Sequence, residues 1–541
     1  MKEREMSDVP SYGVVIIGAG VSGLYQLYKS RSIGVSALVL ESGTDVGGTW
    51  YWNRYPGARF DSESYSYGYS FSQELLDEWD WQERFSAQPE NLRYLQHVSD
   101  RFDLRRDIRF ESVVTQCTFD EMSDEWEVEV EDGFKVRCRF LITAIGILSK
   151  PLIPDIDGMD DFTGPSFHTA RWPHEEVAFT GKRVGIIGTG ATAVQLIQEV
   201  AKTAKHLTVL QRSPNWCAPL HNGPIDPSEM ADIRSRYDEI FERCRKSFSG
   251  FIHDSDDRRA LEVSKEEREA LYEELYASPG FGIWIGNFRD VLVDEEANAT
   301  LSHFIARKIR ERVDDPELAK KLIPTDHGFG TRRVPMETDY YEVYNQDNVL
   351  LVDLNETPIE KITADGIQCS DQEHPFDLIV YATGFDAVMG PYKAVKFTGR
   401  DGRKLADKWE AGPRTYLGLA TAGFPNMFTL VGPHNASTFC NMPRCIEQNV
   451  EWVSTFLQRL FRSDVTRVEV DIDAEDKWTE HVYESVERML FSKVDSWFMG
   501  VNKNIEGRDT RTFMLYVGGF PSYTERCDDV ARNGYRGFVM S

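Results

Sequence analysis

The sequence contains no long apolar run. Among its 541 residues there is no stretch of about 18 consecutive apolar side chains, the length that a transmembrane helix requires. Residues 1–12 are polar and charged, and they lack the apolar segment of a secretory signal. We therefore expect a cytoplasmic protein that does not act in a membrane.

Basic residues are scarce relative to acidic ones. The chain has 61 Lys and Arg against 88 Asp and Glu, which gives a formal net charge of −27. Such an excess of negative charge repels nucleic acid and anionic membrane surfaces. The simplest interpretation of the acidity is a well-solvated surface, so we expect small-molecule partners.

Cysteines are few, and their positions indicate no metal site. The eight cysteines are scattered, and no Cys and His residues have zinc-ligand spacing, so we expect reduced thiols and no bound metal. Cys440 and Cys445 have the C-x4-C spacing of some redox-active pairs. They lie late in the chain, far from the first glycine-rich motif described below, which disfavours a redox disulfide.

What the sequence does contain is a repeated strand, glycine loop, helix and strand. The first copy is predicted at residues 14–17, 21–31 and 37–40, and the second at residues 183–187, 191–202 and 207–210. This pattern opens a parallel nucleotide-binding sheet. We therefore predict an α/β fold with two Rossmann-like dinucleotide-binding domains.

The pattern changes between residues 222 and 324, where charged amphipathic helices follow one another. Ser264 with Glu267 predicts a capped helix start, and Asp315 before Pro316 predicts another. From about residue 348 strand patterns return. We predict a first domain of residues 1–150 and 387–541, a second of residues 151–221 and 325–386, and a helical insertion at residues 222–324.

The first glycine loop has the form G-x-G-x-x-G. Gly18 allows the tight turn, Gly20 lets the backbone approach a pyrophosphate, and Gly23 lets helix and strand pack closely. Glu41 ends the next strand, where a carboxylate accepts hydrogen bonds from an adenosine ribose. Because an acid repels a 2′-phosphate, this loop is predicted to bind FAD or NAD.

The second glycine loop has the form G-x-G-x-x-A. It consists of Gly188, Thr189, Gly190, Ala191, Thr192 and Ala193. The strand after its helix ends at Arg212 and Ser213, with no acid. A guanidinium and a hydroxyl there are suited to a 2′-phosphate, which favours NADPH over NADH.

Two further motifs are more specific. Residues 47–61 read G-G-T-W-Y-W-N-R-Y-P-G-A-R-F-D, and residues 162–173 read F-x-G-x-x-x-H-x-x-x-W-P. Together they resemble the two fingerprints of type I Baeyer–Villiger monooxygenases. The resemblance extends from Val14 to about Phe538, and the Trp172-Pro173 ending favours this family over N- or S-oxygenating flavin-containing monooxygenases.

The resemblance implies the reaction. FAD in the first domain and NADPH in the second would convert a ketone and O2 into an ester or lactone through a C4a-peroxyflavin, with sulfides as further substrates. A monomer is expected. Three alternatives remain: an N- or S-oxygenating monooxygenase, a disulfide reductase, which the position of Cys440 and Cys445 disfavours, and a non-enzymatic FAD-binding protein, which the intact NADPH motifs disfavour.

The resemblance also assigns the catalytic residues. Arg333 corresponds to the active-site arginine of the family, whose fixed charge suits an oxygen-derived anion. Asp61 corresponds to the acid beside that arginine, and Arg332 to a contact with the NADPH phosphate. His168 is expected to have a structural role that couples domain movement to cofactor binding, and Trp172 is expected to be a structural residue of the motif.

The remaining assignments are lining residues. The cofactor-binding positions are expected to include Gly48, Thr49, Trp50, Tyr67, Val114, Met442 and Trp497. The ketone pocket is expected to include Ile147, Leu148, Ser437, Thr438, Phe439 and Cys440. One loop departs from the family pattern: residues 502–508 are two residues longer than the corresponding segment and lack its proline.

Overall fold

The computed structural model describes residues 9–436 and 440–541. Its strands, in chain order, are β1 (Ser11–Ile17), β2 (Ala37–Leu40), β3 (Ile108–Arg109), β4 (Val114–Asp120), β5 (Glu125–Val130), β6 (Lys135–Thr143), β7 (Ser166–His168), β8 (Arg183–Ile187), β9 (His206–Gln211), β10 (Ala218–Pro219), β11 (Met336–Glu337), β12 (Val349–Asp353), β13 (Ile359–Ile362), β14 (Gly366–Cys369), β15 (Glu373–Pro375), β16 (Leu378–Tyr381), β17 (Lys396–Thr398), β18 (Met427–Thr429), β19 (Val468–Val470) and β20 (Phe538–Met540).

The α-helices surround these strands. They are α1 (Val21–Ser32), α2 (Thr49–Trp52), α3 (Ser64–Tyr67), α4 (Gln73–Glu78), α5 (Gln88–Arg101), α6 (Ala191–Ala201), α7 (Pro227–Ser235), α8 (Tyr237–Lys246), α9 (Lys265–Ala277), α10 (Gly282–Ile285), α11 (Glu295–Arg312), α12 (Pro316–Leu322), α13 (Met389–Lys393), α14 (Leu405–Lys408), α15 (Met442–Phe461), α16 (Ile472–Val486) and α17 (Phe520–Arg532). None of these helices combines the length and the hydropathy that crossing a membrane requires.

The first large sheet has the strand order β17-β4-β5-β6-β1-β2-β3, with β18 also paired to β6. Its centre is parallel, because β1 pairs in parallel with both β2 and β6. Strands β1 and β2 are apolar runs that are buried at their carboxyl ends, as expected for a sheet covered on both faces. Helix α1 packs against α15 on one of these faces.

The second sheet has the order β12-β9-β8-β16-β7 and is parallel throughout. Its strands come from two parts of the chain, because β12 and β16 return after the helices that follow residue 222. The predicted α/β fold with two Rossmann-like dinucleotide-binding domains is confirmed, although β4, β5 and β6 of the first sheet pair antiparallel. The domain boundaries given above stay a prediction.

The region predicted as a helical insertion contains α7 to α12. Both predicted starts are present. Ser264 caps α9 in a reciprocal pair with Glu267, and the Asp315 carboxylate accepts hydrogen bonds from the first backbone N–H groups of α12. These caps satisfy N–H groups that have no partner inside the helix, so they fix where each helix begins.

A buried ion cluster attaches the end of α11 to β11 and to the 3-10 helix Glu342–Asn345 that precedes β12. Arg312, the last residue of α11, donates to both carboxylate oxygens of Glu337 at 2.7 and 3.0 Å, and to Glu342 at 2.5 and 2.7 Å. The Glu337 side chain is fully buried. Burial disfavours the Arg312 charge, but the hydrogen bonds to Glu342 and Glu337 outweigh it and raise the pKa of the guanidinium.

We expect Arg312→Met to destabilise the protein strongly. Removal of the cation leaves the Glu337 carboxylate buried without its partner, which costs roughly 3–5 kcal/mol of unfolding free energy in comparable pairs. Thermal unfolding should show a clearly lowered midpoint. The matched control is Arg310→Ala, an exposed arginine of the same helix, which should leave the midpoint unchanged. Equal melting of the two variants would contradict the role of the cluster.

Candidate active site

The first glycine loop connects β1 to α1. Gly18 has φ +104°, and its N–H donates to the Leu40 carbonyl at 2.8 Å. A Cβ on Gly23 would lie 1.8 Å from the Gly18 carbonyl oxygen, so only glycine fits there. Within the described residues no side chain caps α1, which begins after Gly20. Its first N–H groups therefore remain free for an anion.

Glu41 holds this loop in place. Its carboxylate is buried and accepts hydrogen bonds from the Ala19 and Gly43 N–H groups, each at 2.7 Å. Burial raises the pKa of Glu41 despite these bonds. Oε1 also accepts from the Ser42 hydroxyl at 3.3 Å, while Oε2 keeps a second acceptor site for the predicted contact with a ribose. The loop-bracing contacts were not anticipated from the sequence.

The first fingerprint lies directly over the first glycine loop. Gly48 has φ +53°, and a Cβ there would lie 2.7 Å from the Gly20 Cα. Thr49 and Trp50 follow on α2, and the Trp50 indole Nε1 donates to the Tyr67 hydroxyl at 2.9 Å. The structure thus brings these four predicted residues to one place.

Val114 is the remaining predicted residue on this side. It is buried at the start of β4. The Ser112 N–H, two residues earlier, donates to the Glu41 carbonyl at 2.8 Å. Val114 therefore follows directly on a segment that is hydrogen-bonded to Glu41, the acid just after β2.

The second glycine loop repeats the turn but is open. Gly188 has φ +113°, and a Cβ there would lie 2.5 Å from the Ala382 carbonyl oxygen. A Cβ at Gly190, by contrast, would meet no described atom within 4 Å. Helix α6 begins at Ala191 without a side-chain cap among the described residues. Its first turn, which contains Thr192 and the buried Ala193, is therefore accessible to a pyrophosphate.

Arg212 and Ser213 follow β9, at the carboxyl edge of the second sheet. The Thr189 hydroxyl donates to the Ser213 carbonyl at 2.7 Å, which joins this turn to the glycine loop. Arg212 is exposed, and its Nη1 donates to Asn504 Oδ1 at 2.7 Å. Asn504 belongs to the segment of residues 502–508 that departs from the family pattern. Sequence reasoning missed this contact because the two residues are far apart in the chain.

Arg333 and Asp61 form an ion pair. Arg333 Nη2 donates to Asp61 Oδ2, and Arg333 Nη1 donates to the Val334 carbonyl at 3.1 Å. The Asp61 side chain is 1% exposed and that of Arg333 33% exposed. The guanidinium also lies 6.0 Å from the ring centre of Phe281, beside α10. The acid is thus enclosed while part of the cation faces outward.

The electrostatics of this pair favour a fixed positive charge. Burial raises the pKa of Asp61, and the charge of Arg333 acts in the opposite direction. Since the buried acid has an arginine partner, it can remain ionised and orient the guanidinium. The guanidinium has five N–H donors in a planar fork, so donors remain for a developing anion.

Arg332 has a different acid partner. Its Nη2 donates to Asp326 Oδ2 at 2.9 Å. A hydrogen bond with His327, followed by the charge of Arg332, holds the pKa of Asp326 well below its usual range. The two neighbouring arginines therefore have separate surroundings, and their roles stay a prediction.

The two fingerprints contact each other. The Arg171 guanidinium of the second fingerprint lies 4.4 Å from the ring centre of Trp52 in the first. Beside this contact, Arg54 Nη1 is 2.9 Å from Nδ1 of His174, the residue that follows the second fingerprint. The Tyr55 hydroxyl donates to Gln195 Oε1 on α6 at 2.8 Å. The first fingerprint therefore touches both its own glycine loop and the helix of the second loop.

His168 lies where the chain passes between the two sheets. Its Nδ1 accepts from the Ala170 N–H at 3.1 Å, and its Nε2 is 3.3 Å from the Thr383 hydroxyl. Thr383 in turn donates to the Leu152 carbonyl at 2.6 Å. Burial lowers the pKa of His168, so the ring is neutral and held in place. These contacts support a structural role rather than proton transfer.

The two other tryptophans predicted from the family pattern differ in burial. Trp172 is buried against Phe167 and Phe179. Trp497 is half-buried at the start of a short 3-10 helix, Trp497–Met499.

The substrate-pocket predictions are only partly described. Ile147 is buried and Leu148 is partly exposed, while Met442 begins α15. Cys440 is buried beside a small cavity that Ala436, Phe248 and Tyr516 also line. Ser437, Thr438 and Phe439 lie outside the described residues.

The expectation that all thiols are reduced is wrong for one pair. The structure joins Cys440 to Cys445, whose Cα atoms are 6.8 Å apart at the first turn of α15. Cys445 lies in the first turn of α15 and Cys440 two residues before that helix, and the start of the helix brings them within reach of each other, which spacing alone did not establish. The other cysteines, Cys117, Cys138, Cys217, Cys244, Cys369 and Cys527, are free and buried.

Comparisons with known proteins agree with this geometry. Residues 15–274 match the pyridine nucleotide-disulphide oxidoreductase family. The chain is 47% identical to 2-oxo-Δ3-4,5,5-trimethylcyclopentenylacetyl-CoA monooxygenase of Pseudomonas putida, over 98% of this chain and 99% of that protein. It is 39% identical to a Baeyer–Villiger monooxygenase of Pseudooceanicola batsensis, over 98% of this chain and 96% of that protein.

Two further similarities bear on the chemistry. A phenazine N-monooxygenase of Lysobacter antibioticus is 41% identical over 99% of this chain and 98% of its own. The crystal structure of OTEMO in complex with FAD and NADP superposes with a TM-score of 0.95 at 47% identity, covering 99% of this chain and 100% of that one. With two glycine loops, the contacting fingerprints and full-length relatives in agreement, the chain belongs to the Baeyer–Villiger monooxygenases.

Proposed function

We propose that this protein oxidises a ketone to an ester or lactone with NADPH and O2. The observation that carries the proposal is the Arg333–Asp61 pair, in which a buried acid holds a partly exposed guanidinium. When bound, FAD would supply two kinds of chemistry, the oxidation of NADPH and the activation of O2. The uncapped start of α1 and the close approach of Gly20 and Gly48 fit its pyrophosphate.

The chain's own residues would supply position and charge. The Arg333 guanidinium would stabilise negative charge that develops on oxygen, and Asp61 would orient it. Arg212 and Ser213 would bind the phosphates of NADPH, because they follow β9 beside the open second loop. Arg332 is given its phosphate contact by the resemblance to the family. His168 would hold together the two segments that connect the sheets, at Leu152 and at Thr383, while the two nucleotide-binding domains move.

N-oxygenation is the second candidate function. It is favoured by the similarity to a phenazine N-monooxygenase. The two reactions differ in the group that accepts oxygen, so products distinguish them. Oxidation of sulfides, a monomeric state, a cytoplasmic location and the two-domain boundaries remain proposals.

A panel of substrates tests the function. Purified, FAD-loaded protein with NADPH and O2 should convert aliphatic, cyclic or aryl ketones into products heavier by one oxygen. The products are identified by comparing their mass and chromatographic retention with those of authentic esters and lactones. Phenazine and an alkyl sulfide belong in the same panel. Release of hydrogen peroxide alone across all ketones would refute ester formation, and conversion of phenazine alone would favour N-oxygenation.

Arg333→Ala should separate flavin reduction from oxygenation. Loss of one preorganised donor at a developing anion costs about 10²–10³-fold in kcat. We expect bleaching of the flavin by NADPH without O2 to persist, while ester formation falls by at least this factor. Arg333→Lys keeps the positive charge but loses the planar pair of donors, so its rate of ester formation should lie between those of the parent protein and Arg333→Ala. Full ester formation by Arg333→Ala would remove the assignment.

Asn504→Asp should weaken NADPH selectively. The new carboxylate would pair with Arg212 and compete with the 2′-phosphate. An exposed ion pair contributes up to about 1 kcal/mol, so we expect KM for NADPH to rise roughly fivefold while KM for NADH is unchanged. Arg212→Ala should raise KM for NADPH roughly 10–100-fold, since it removes a charged hydrogen-bond partner. Equal effects on both nucleotides would contradict this assignment.

A further inference from the structure

A small antiparallel sheet lies apart from the residues discussed so far. It consists of β13, β14 and β15, and in its register Ile367 pairs with His374. Cys369 follows Ile367 by two positions on β14. Side chains two apart on a strand share a face, so Cys369 and His374 lie on the same face.

The turn between these strands adds a third polar group. The Cys369 thiol, the Asp371 carboxylate and a ring nitrogen of His374 all lie within 4.8 Å of one another. Cys369 is 0% exposed and His374 is 7% exposed. Asp371 is exposed, which leaves an entry path from solvent.

His374 has an unsatisfied nitrogen. Its Nε2 is buried and makes no hydrogen bond with the described residues. A buried polar atom without a partner is costly, so such atoms are rare in native proteins. A bound ligand at this position would remove that cost.

The surroundings favour a cation. The Asp371 carboxylate lies within 4.8 Å of both the Cys369 thiol and a ring nitrogen of His374, so it places an anionic group beside them. On its inner side the thiol packs in an apolar cluster with Ile362, Ile367 and Phe376. The packing explains why Cys369 is buried, but it does not explain why an imidazole and a carboxylate converge on its sulfur.

We propose that Cys369, Asp371 and His374 bind one zinc ion, with water as the fourth ligand. A thiolate, an imidazole and a carboxylate together select zinc over magnesium or calcium, which prefer oxygen ligands. Donors around tetrahedral zinc are about 3.6 Å apart, so small side-chain adjustments from the observed spacing complete the site. Binding would release the thiol proton to solvent, and no redox step is involved.

The bound zinc would stabilise the hairpin formed by β14 and β15 and would take no part in catalysis. The Ile362 N–H donates to the Asp157 carbonyl, so the small sheet is attached to the segment that precedes β7. None of the three ligands belongs to the residues assigned to FAD, NADPH or ketone. Zinc that binds the folded state should therefore stabilise the protein without being required for oxygenation.

Metal titration of the FAD-loaded full chain tests the proposal. After treatment with a chelator, the protein should take up one equivalent of Zn²⁺ that survives gel filtration, as measured by elemental analysis. Co²⁺ in its place should give the long-wavelength absorption of a tetrahedral site, where oxidised flavin does not absorb. Zn²⁺ should also raise the thermal unfolding midpoint, while the rate of ketone oxidation stays the same.

Variants assign the ligands. Asp371→Asn changes only an exposed side chain and should weaken retention of the metal, while Cys369→Ser and His374→Ala should abolish it. The control is Asp365→Asn, an exposed acid at the other turn of the same sheet, which should bind like the parent protein. Absence of stoichiometric zinc in the parent, or equal uptake by the parent and by Asp371→Asn and Cys369→Ser, would overturn the proposal.

Discussion

The burial of the Asp61 carboxylate requires distant parts of the chain to fold together. Asp61 is buried, and a buried charge is tolerated only beside a partner of opposite sign. That partner, Arg333, is 272 residues away in the sequence. The chain must therefore complete the second glycine loop and the helices that follow it before the acid of the first fingerprint has its cation. Formation of the active-site charge is thereby tied to folding of both halves.

The two fingerprints, residues 47–61 and 162–173, also depend on contacts between distant parts of the chain. Arg171 of the second motif lies over Trp52 of the first, and Arg54 contacts His174 just after the second motif, so each motif supplies part of a contact surface. Tyr55 reaches α6 through Gln195. Residues that define the family by sequence are thus the residues where its nucleotide-binding units meet. This explains in physical terms why both motifs, rather than either alone, identify the chemistry.

Sequence reasoning succeeded where structure is local. A strand, a glycine turn and a helix are encoded within about twenty residues, so both nucleotide loops and the caps at Ser264 and Asp315 were predictable. The pairing of Arg333 with Asp61 came from resemblance. The contact between Arg212 and Asn504 depends on how a surface loop returns to the sheet, and the convergence of Cys369 and His374 depends on strand register. Neither is visible in residue spacing.

The two glycine loops differ in one respect that affects how each nucleotide is held. Gly48 lies against Gly20 and covers the first loop, whereas the space above Gly190 is open. A nucleotide on the covered loop can depart only if the fingerprint segment moves away, so it is suited to remain as a prosthetic group through many turnovers. One on the open loop can come and go with each catalytic cycle, as a cosubstrate must.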